Sequence, residues 1–494
     1  MSDHVIHTEN GKLAADTPFT SVKQMVEEGV EHGHLVLHFH GGLVSEASGR
    51  ATAAALEPVY EAAGAYPIFP VWESGLLETI RNNLEKVGNE LFFRLVLKRV
   101  RAIVMRKFAQ DDGGRAAGTV PAVDVTAEEA AVDQALDLGD LARMPTEPVP
   151  QAGMTELTDA EILALEQELA TDPVLAQATA EVSASLRSEA EIAQEVASRS
   201  ADAPVVGSTK TLMDPDAIDA LLERDAPGAR GIMTIWKVAK AVVKVAARVI
   251  HRYLAGRDHG FHATIVEEIL RAAYVSNIGG YIWSTMKEDT ADHFKADAEL
   301  YGGTAILSVL AERLQAGATP RVTLVGHSTG AVFIAHFLEA ARQRLPDSMK
   351  FDVVLLAPAS TFRLSSERIT GNMDRIAGLR MFTMTDENER NDRLVPVLYP
   401  HSLLYFVSGV VEDEVDMPLI GMQRYFDEDA YPSDAFPSVE LFRRHMDDVE
   451  HGIVWSVSTG TPGLESAALK HGDFDEDEKT RASMQHLIRH GFGI

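Results

Sequence analysis

The stretch Val322–Phe333, VTLVGHSTGAVF, sets a serine between two glycines, just after the apolar run VTLV and just before another apolar run. A GxSxG pentapeptide alone says little, because glycine and serine share many turns for conformational reasons. The setting says more. A short, dense apolar run ending in glycine suits a central parallel strand, and AVFIAHFLEAARQRL, which follows, has the length and pattern of a helix. Ser328 therefore falls where a strand turns sharply into a helix. Gly326 and Gly330 remove side chains that would collide in such a turn, so the hydroxyl projects, and the helix start aims backbone amides at the same place.

Working outward, the same alternation recurs. HLVLHFHGGL from His34 reads as a buried strand ending in a glycine turn, ASGRATAAALEPVYEAAG as a helix and AYPIFPVW as the next strand. After Gly302 the order is a helix from Ala305 to Gln315, strand RVTLVGHS, the helix after Ser328, strand DVVLLAPAS, a helix near Arg375 and strand LRMFTMT. A strand from Gly452 to Ser458 and a helix from Glu476 to Arg489 complete the series. Strands separated by helices predict an α/β fold with a doubly wound, mostly parallel sheet. Residues 1–74 and 301–494 form the two parts of this core, and 75–300 is a large, mainly helical insertion.

The insertion carries most of the charge. The net charge is -29, and between Gln110 and Arg230 there are 25 acidic against 7 basic residues, a balance of -18. On one side of this acidic segment lies LFFRLVLKRVRAIVMRKF, with Arg94, Lys98, Arg101 and Lys107; on the other lies IMTIWKVAKAVVKVAARVIHRYLAGR, where Lys237, Lys240, Lys244, Arg248 and Arg252 form a cationic stripe at helical spacing. Regular lysines argue against a membrane span. Within the acidic segment, Pro and Gly separate short helices such as TDAEILALEQELA, and part of 110–230 is expected to be flexible. The overall charge disfavours nucleic acid as a partner. The absence of cysteine excludes disulfides, thiolate zinc sites and a cysteine nucleophile. MSDHVIHTENGK does not resemble an export signal, so a cytoplasmic location is expected.

An acyl-transfer site needs donors for a developing oxyanion, one from the residue after the serine and one from the loop after an earlier strand. The amide of Thr329 meets the first need. HFHGGL meets the second, with Gly42 the preferred donor and Leu43 next. GHSTG together with HGG resembles the α/β-hydrolase family over Phe19 to Ser74 and Tyr301 to Ile494, in a short version that lacks the first strands of the full sheet. The resemblance implies a catalytic serine, acid and histidine in that chain order. Asp386, directly after strand LRMFTMT, is the first candidate acid; Glu387, Glu389 and Asp392 in TDENERND compete. His471, between GIVWSVS and the last helix, is the candidate base. His451 precedes that strand and lies at the wrong end of the sheet, while His401, His445, His486 and His490 read as surface or packing residues. Asp473 and Glu476 look like a helix cap.

His38, His40 and His327 crowd the same crevice, and His38 and His40 stand two apart on a strand, a spacing that can serve a metal. No HExxH and no accompanying carboxylate and histidine ligand set is present, and the resemblance assigns these histidines to packing and turn stabilisation; neither metal nor cofactor is expected. The expectation for the whole is a serine esterase acting on a lipid or other acyl ester, with amidase, peptidase or acyltransferase chemistry open to the same machinery. A hydrolase-like interaction module, its acidic insertion binding a protein partner, is the alternative. The basic helices suit an anionic lipid surface; alternatively their apolar faces pack on the core or a partner subunit while the lysines meet the acidic segment. Tyr281, Trp283 and Met286, and SLLYFVSGVVEDEV after Tyr399, read as packing segments near the site.

Overall fold

A computed structural model describes residues 4–41, 45–72, 76–109, 125–151, 153–181, 183–184, 212–214 and 234–493. Among the described residues, eight strands form one sheet: β1 (Val5–Glu9), β2 (Lys12–Leu13), β3 (His34–Phe39), β4 (Tyr66–Trp72), β5 (Arg321–His327), β6 (Phe351–Leu356), β7 (Ile376–Met384) and β8 (Ile453–Ser456). Their order is β2-β1-β4-β3-β5-β6-β7-β8. Every pairing is parallel except β1 with β2. The α/β expectation stands, with one correction at the edge. β1 and β2 extend the sheet beyond β4, where the reading of the sequence placed no strand.

Alternating side chains divide the core in two. Leu35, Leu37 and Phe39 of β3 join one cluster, with Leu324, Leu355 and Met381. Val36 joins the other, with Val325, Val354 and Phe382. Helices Phe19–His32, Gly302–Gln315 and Gly330–Arg344 cover the first face through Val22, Ile306 and Phe333. Helices Glu46–Ala62 and Glu478–His490 cover the second through Leu56 and Leu487. Burial on both faces is what nearly continuous apolar strands require.

The strand order fixes where a site can form. From β3 the chain moves outward to β4 on one side, and from β5 it moves outward through β6, β7 and β8 on the other. The crevice opens at such a switch point, at the carboxyl ends of β3 and β5. His40 and Gly41 follow the first of these ends, and GHSTG forms the second.

In the insertion, helices Leu91–Phe108, Asp159–Ala170, Ile235–Leu254 and Phe261–Ala273 pack together, and Leu97, Val242 and Ile269 share one apolar cluster with the sheet. The cations of Leu91–Phe108 meet the acidic segment: Lys98 with Asp133 at 2.7 Å, Arg99 with Asp172 at 2.6 Å, Arg101 with Glu128 at 2.9 Å, Arg106 with Glu168 at 2.9 Å, Lys107 with Glu161 at 3.0 Å, and Arg94 with Asp137. On Ile235–Leu254, Arg252 leaves the expected stripe and turns inward to Glu267 at 2.7 Å, while Lys240, Lys244 and Arg248 are exposed. No described helix is long and apolar enough to cross a membrane.

A buried ionic cluster fastens this insertion to the second half of the core. The Asp416 carboxylate, with no exposed side-chain surface, accepts from Arg257 Nε at 2.8 Å, His259 Nε2 at 2.9 Å and the Tyr425 hydroxyl at 2.6 Å. Burial alone would push this carboxyl up, but His259, Arg424 and Arg257 more than offset it and hold it well below the usual carboxylate range. Removing one member of such a set strands the others. Asp416→Asn should therefore cost about 3–5 kcal/mol, read as a lower urea midpoint, whereas an unchanged midpoint would mean the cluster does not hold the insertion in place.

Candidate functional site

Ser328 follows β5 directly and sits at φ 54°, in the left-handed region that non-glycine residues seldom occupy. Its neighbours explain why. A Cβ on Gly326 would lie 2.7 Å from the Gly330 carbonyl, and one on Gly330 would collide with the carbonyl oxygen of Phe39 at the end of β3. Both glycines permit the close turn, and the serine between them takes the strain. The end of β6 braces it: the Ser328 amide donates to Leu356 O at 2.9 Å, and Ser328 O accepts from the Ala359 amide at 3.0 Å.

The expected base arrives at this hydroxyl. His471 Nε2 lies 2.9 Å from Ser328 Oγ, with serine and histidine 2% and 6% exposed. Burial pushes the imidazole down to about 3, and the neighbouring His327 adds to the shift. At neutral pH the ring is uncharged, the state a base needs. Nδ1 is buried and has no hydrogen-bond partner among the described residues.

The expected acid does not come to it. Asp386 instead accepts from the Tyr405 hydroxyl at 2.5 Å and Arg390 Nε at 2.8 Å. Burial raises this carboxyl, but Arg390 and the Tyr405 bond outweigh it and hold it below its ordinary value. Asp386 opens the helix Asp386–Asn391, which the Thr385 side chain caps. Glu389 is buried, bonded by the Ser402 hydroxyl, and pushed well up by burial. Asp392, at the end of that helix, is the residue of TDENERND that reaches position 471: its Oδ2 accepts the His471 amide at 2.8 Å.

Of the loop after β3, expected to supply the second oxyanion donor, the structure describes residues as far as Gly41; Gly42 and Leu43 lie outside the described residues. A Cβ on Gly41 would stand 3.3 Å from Ser328 Cβ, so this loop abuts the serine. His40 holds it, with Nδ1 donating to Gly41 O at 2.7 Å and Nε2 accepting the Trp72 amide at 3.1 Å. Its ring stacks on Trp72 at 4.1 Å, and burial lowers its pKa to about 4. Thr329 begins the helix Gly330–Arg344, so its amide belongs to the turn beside Ser328. His38 pairs with the Tyr60 hydroxyl at 2.7 Å.

Two features escaped the sequence. His327 bonds the histidine loop through both ring nitrogens, and its carboxylate partner Asp475 was not singled out. The cap of the last helix is Asp477, which accepts the Thr480 amide at 2.8 Å, rather than Asp473 or Glu476. Trp283 and Met286 are core, but Tyr281 is 74% exposed. No protein-family model, curated protein or solved structure matches the chain.

The elbow generates a steric prediction. Gly330→Ala forces a methyl group onto Phe39 O and should cost about 1–3 kcal/mol or more, whereas Gly472→Ala, where a Cβ meets nothing within 4 Å, should leave thermal unfolding near wild type. Equal midpoints for both variants would contradict the close approach.

Proposed function

We propose that this chain is a serine hydrolase of α/β-hydrolase type that cleaves a carboxylic ester, of a lipid or another acyl group, through an acyl-enzyme on Ser328. The observation that carries the reading is the 2.9 Å approach of His471 Nε2 to Ser328 Oγ on the strained turn at the switch point of the sheet. In this reading His471 takes the hydroxyl proton as Oγ attacks the carbonyl carbon, and a bond forms between them. The amide of Thr329 receives the oxyanion, with Gly42 retained from the sequence as the second donor. Collapse breaks the ester bond, and His471 gives its proton to the leaving alcohol. Water, activated by the same imidazole, then releases the acid and restores the serine. No step requires a cofactor.

The acid in this proposal is Asp392 rather than Asp386. Asp392 is bonded to residue 471 itself, whereas both oxygens of Asp386 are engaged by Tyr405 and Arg390. Asp392 bonds the backbone of His471 and not its ring, whose Nδ1 has no hydrogen-bond partner among the described residues; as the acid it would turn its carboxylate to Nδ1, favouring the tautomer with a proton there and stabilising the imidazolium formed during attack.

Labelling with a fluorophosphonate probe tests these assignments together. Ser328 should be modified, and His471→Ala should abolish the reaction. Asp392→Asn should slow it by about 10³–10⁴-fold, with Asp386→Asn close to wild type; the reverse pattern would restore Asp386. A folded protein that takes no label at Ser328 would contradict the hydrolase and favour the interaction module.

A further inference from the structure

His327 and Asp475 take no part in the acyl-transfer steps, yet both are buried beside the reacting pair. His327 Nε2 lies 2.9 Å from the His471 carbonyl oxygen, and Nδ1 lies 3.3 Å from Asp475 Oδ2. The two imidazoles stand 5.5 Å apart, tilted by 32°. The peptide of His471 is thus held on both sides, its amide by Asp392 and its carbonyl by His327. Because His327 immediately precedes Ser328, the second grip ties the base directly to the nucleophile's own turn.

We propose that the His327 and Asp475 pair is a positioning element that registers His471 against Ser328, and that it holds only while both ring nitrogens of His327 carry protons. The proposal rests on Ser328 and His471 being the reacting pair. A carbonyl oxygen accepts but cannot donate, so the bond to His471 O requires a proton on Nε2. Nδ1 then faces a carboxylate. With a proton there it makes a charge-assisted hydrogen bond; without one, a lone pair confronts an anion in a buried space.

The surrounding groups favour the charged form. Asp475 and Glu476 face His327 from the histidine loop, together with the uncharged His471, and His38 and His40 face it from β3. Burial opposes charge on His327, but Asp475 and the two acceptors outweigh it and hold its pKa above the ordinary histidine value. Asp475 is held down to about 2 although burial raises it, chiefly by the His327 charge. His38 and His40, lowered to about 3 and about 4 by burial, are neutral and compete little for the same carboxylate. A group whose pKa is raised in the folded state stabilises that state at low pH and ceases to do so as pH climbs through the raised value. The grip on His471 is therefore lost on the alkaline side, where an ordinary histidine base would leave the rate on a plateau.

The test is the pH dependence of fluorophosphonate labelling at Ser328 from about pH 6 to about pH 10. The wild-type rate should fall on the alkaline side, approaching about tenfold per pH unit beyond the titration of His327. In Asp475→Asn the amide donates to neutral Nδ1, so the pair survives loss of the proton and the alkaline fall should disappear. A wild-type rate that stays level to the alkaline end, or an unchanged fall in Asp475→Asn, would overturn the proposal. If Asp475→Asn does not fold, ¹⁵N spectra of the wild-type histidines decide it: His327 should lose a proton in step with the alkaline fall of the labelling rate, and a ring whose titration does not track that fall overturns the idea. Absence of labelling in the wild type at every pH would instead count against the Ser328 and His471 reading itself.

Discussion

The first turn of the helix after Ser328 lies so close to the end of β3 that position 330 has room for nothing larger than hydrogen against Phe39 O. The rest of the site depends on that approach. It sets the end of β3 beside the serine, where a Cβ on Gly41 would stand 3.3 Å from Ser328 Cβ, and residue 328 between the two glycines adopts a positive φ. Strain of this kind costs about 1–3 kcal/mol and persists only where neighbours over-determine it. Here those neighbours are the pairing of β5 with β3 and β6 and the paired backbone bonds of Ser328 to Leu356 and Ala359. His471 Nε2 meets the hydroxyl so presented at 2.9 Å.

Around this turn the protein places charge sparingly and in closed sets. His471 is kept neutral by burial. Farther away, Asp416, His259, Arg257 and Glu267 form a cluster that joins the helices before Gly302 to the segment after Tyr399, through His259 to Glu267 at 2.7 Å and Tyr399 to Glu267 at 2.5 Å. Asp386 and Tyr405 lie at the edge of this cluster, Arg424 spanning Tyr405 and Tyr431. The insertion is thus bonded into the core at the same short helix whose far end, Asp392, holds the histidine loop.

The sheet was legible because its strands are short apolar runs separated by amphipathic helices, and β3 to β8 fall where those runs occur. β1 was not, because VIHTE is short and carries three polar residues, of which two find partners only in the fold: Thr8 bonds His293 Nε2 at 2.9 Å and His7 bonds Asp16 at 3.1 Å. Ser328 and His471 could be placed by the order of strand, turn and helix around them. Which carboxylate of TDENERND lies beside residue 471 could not be told by position alone. A carboxylate directly after a strand looked suitable, but Thr385 caps a helix there through its bond to the Asn388 amide, and that helix carries Asp386 toward Tyr405 while bringing Asp392 to residue 471. The threonine three residues before an asparagine was the available signal. Nothing local in GHSTG announces that its histidine pairs with a carboxylate 148 residues later; that contact exists only because the sheet sets the end of β5 beside the histidine loop.

The central claim is that Ser328 carries an acyl group during turnover. Mixing the protein with p-nitrophenyl acetate, quenching in acid and mapping peptides by mass spectrometry tests it most directly. The account predicts one acetyl group on the peptide containing Ser328, formed in step with a burst of nitrophenol and absent in Ser328→Ala. Ester turnover with that peptide unmodified, or with the acetyl group on another side chain, would contradict it.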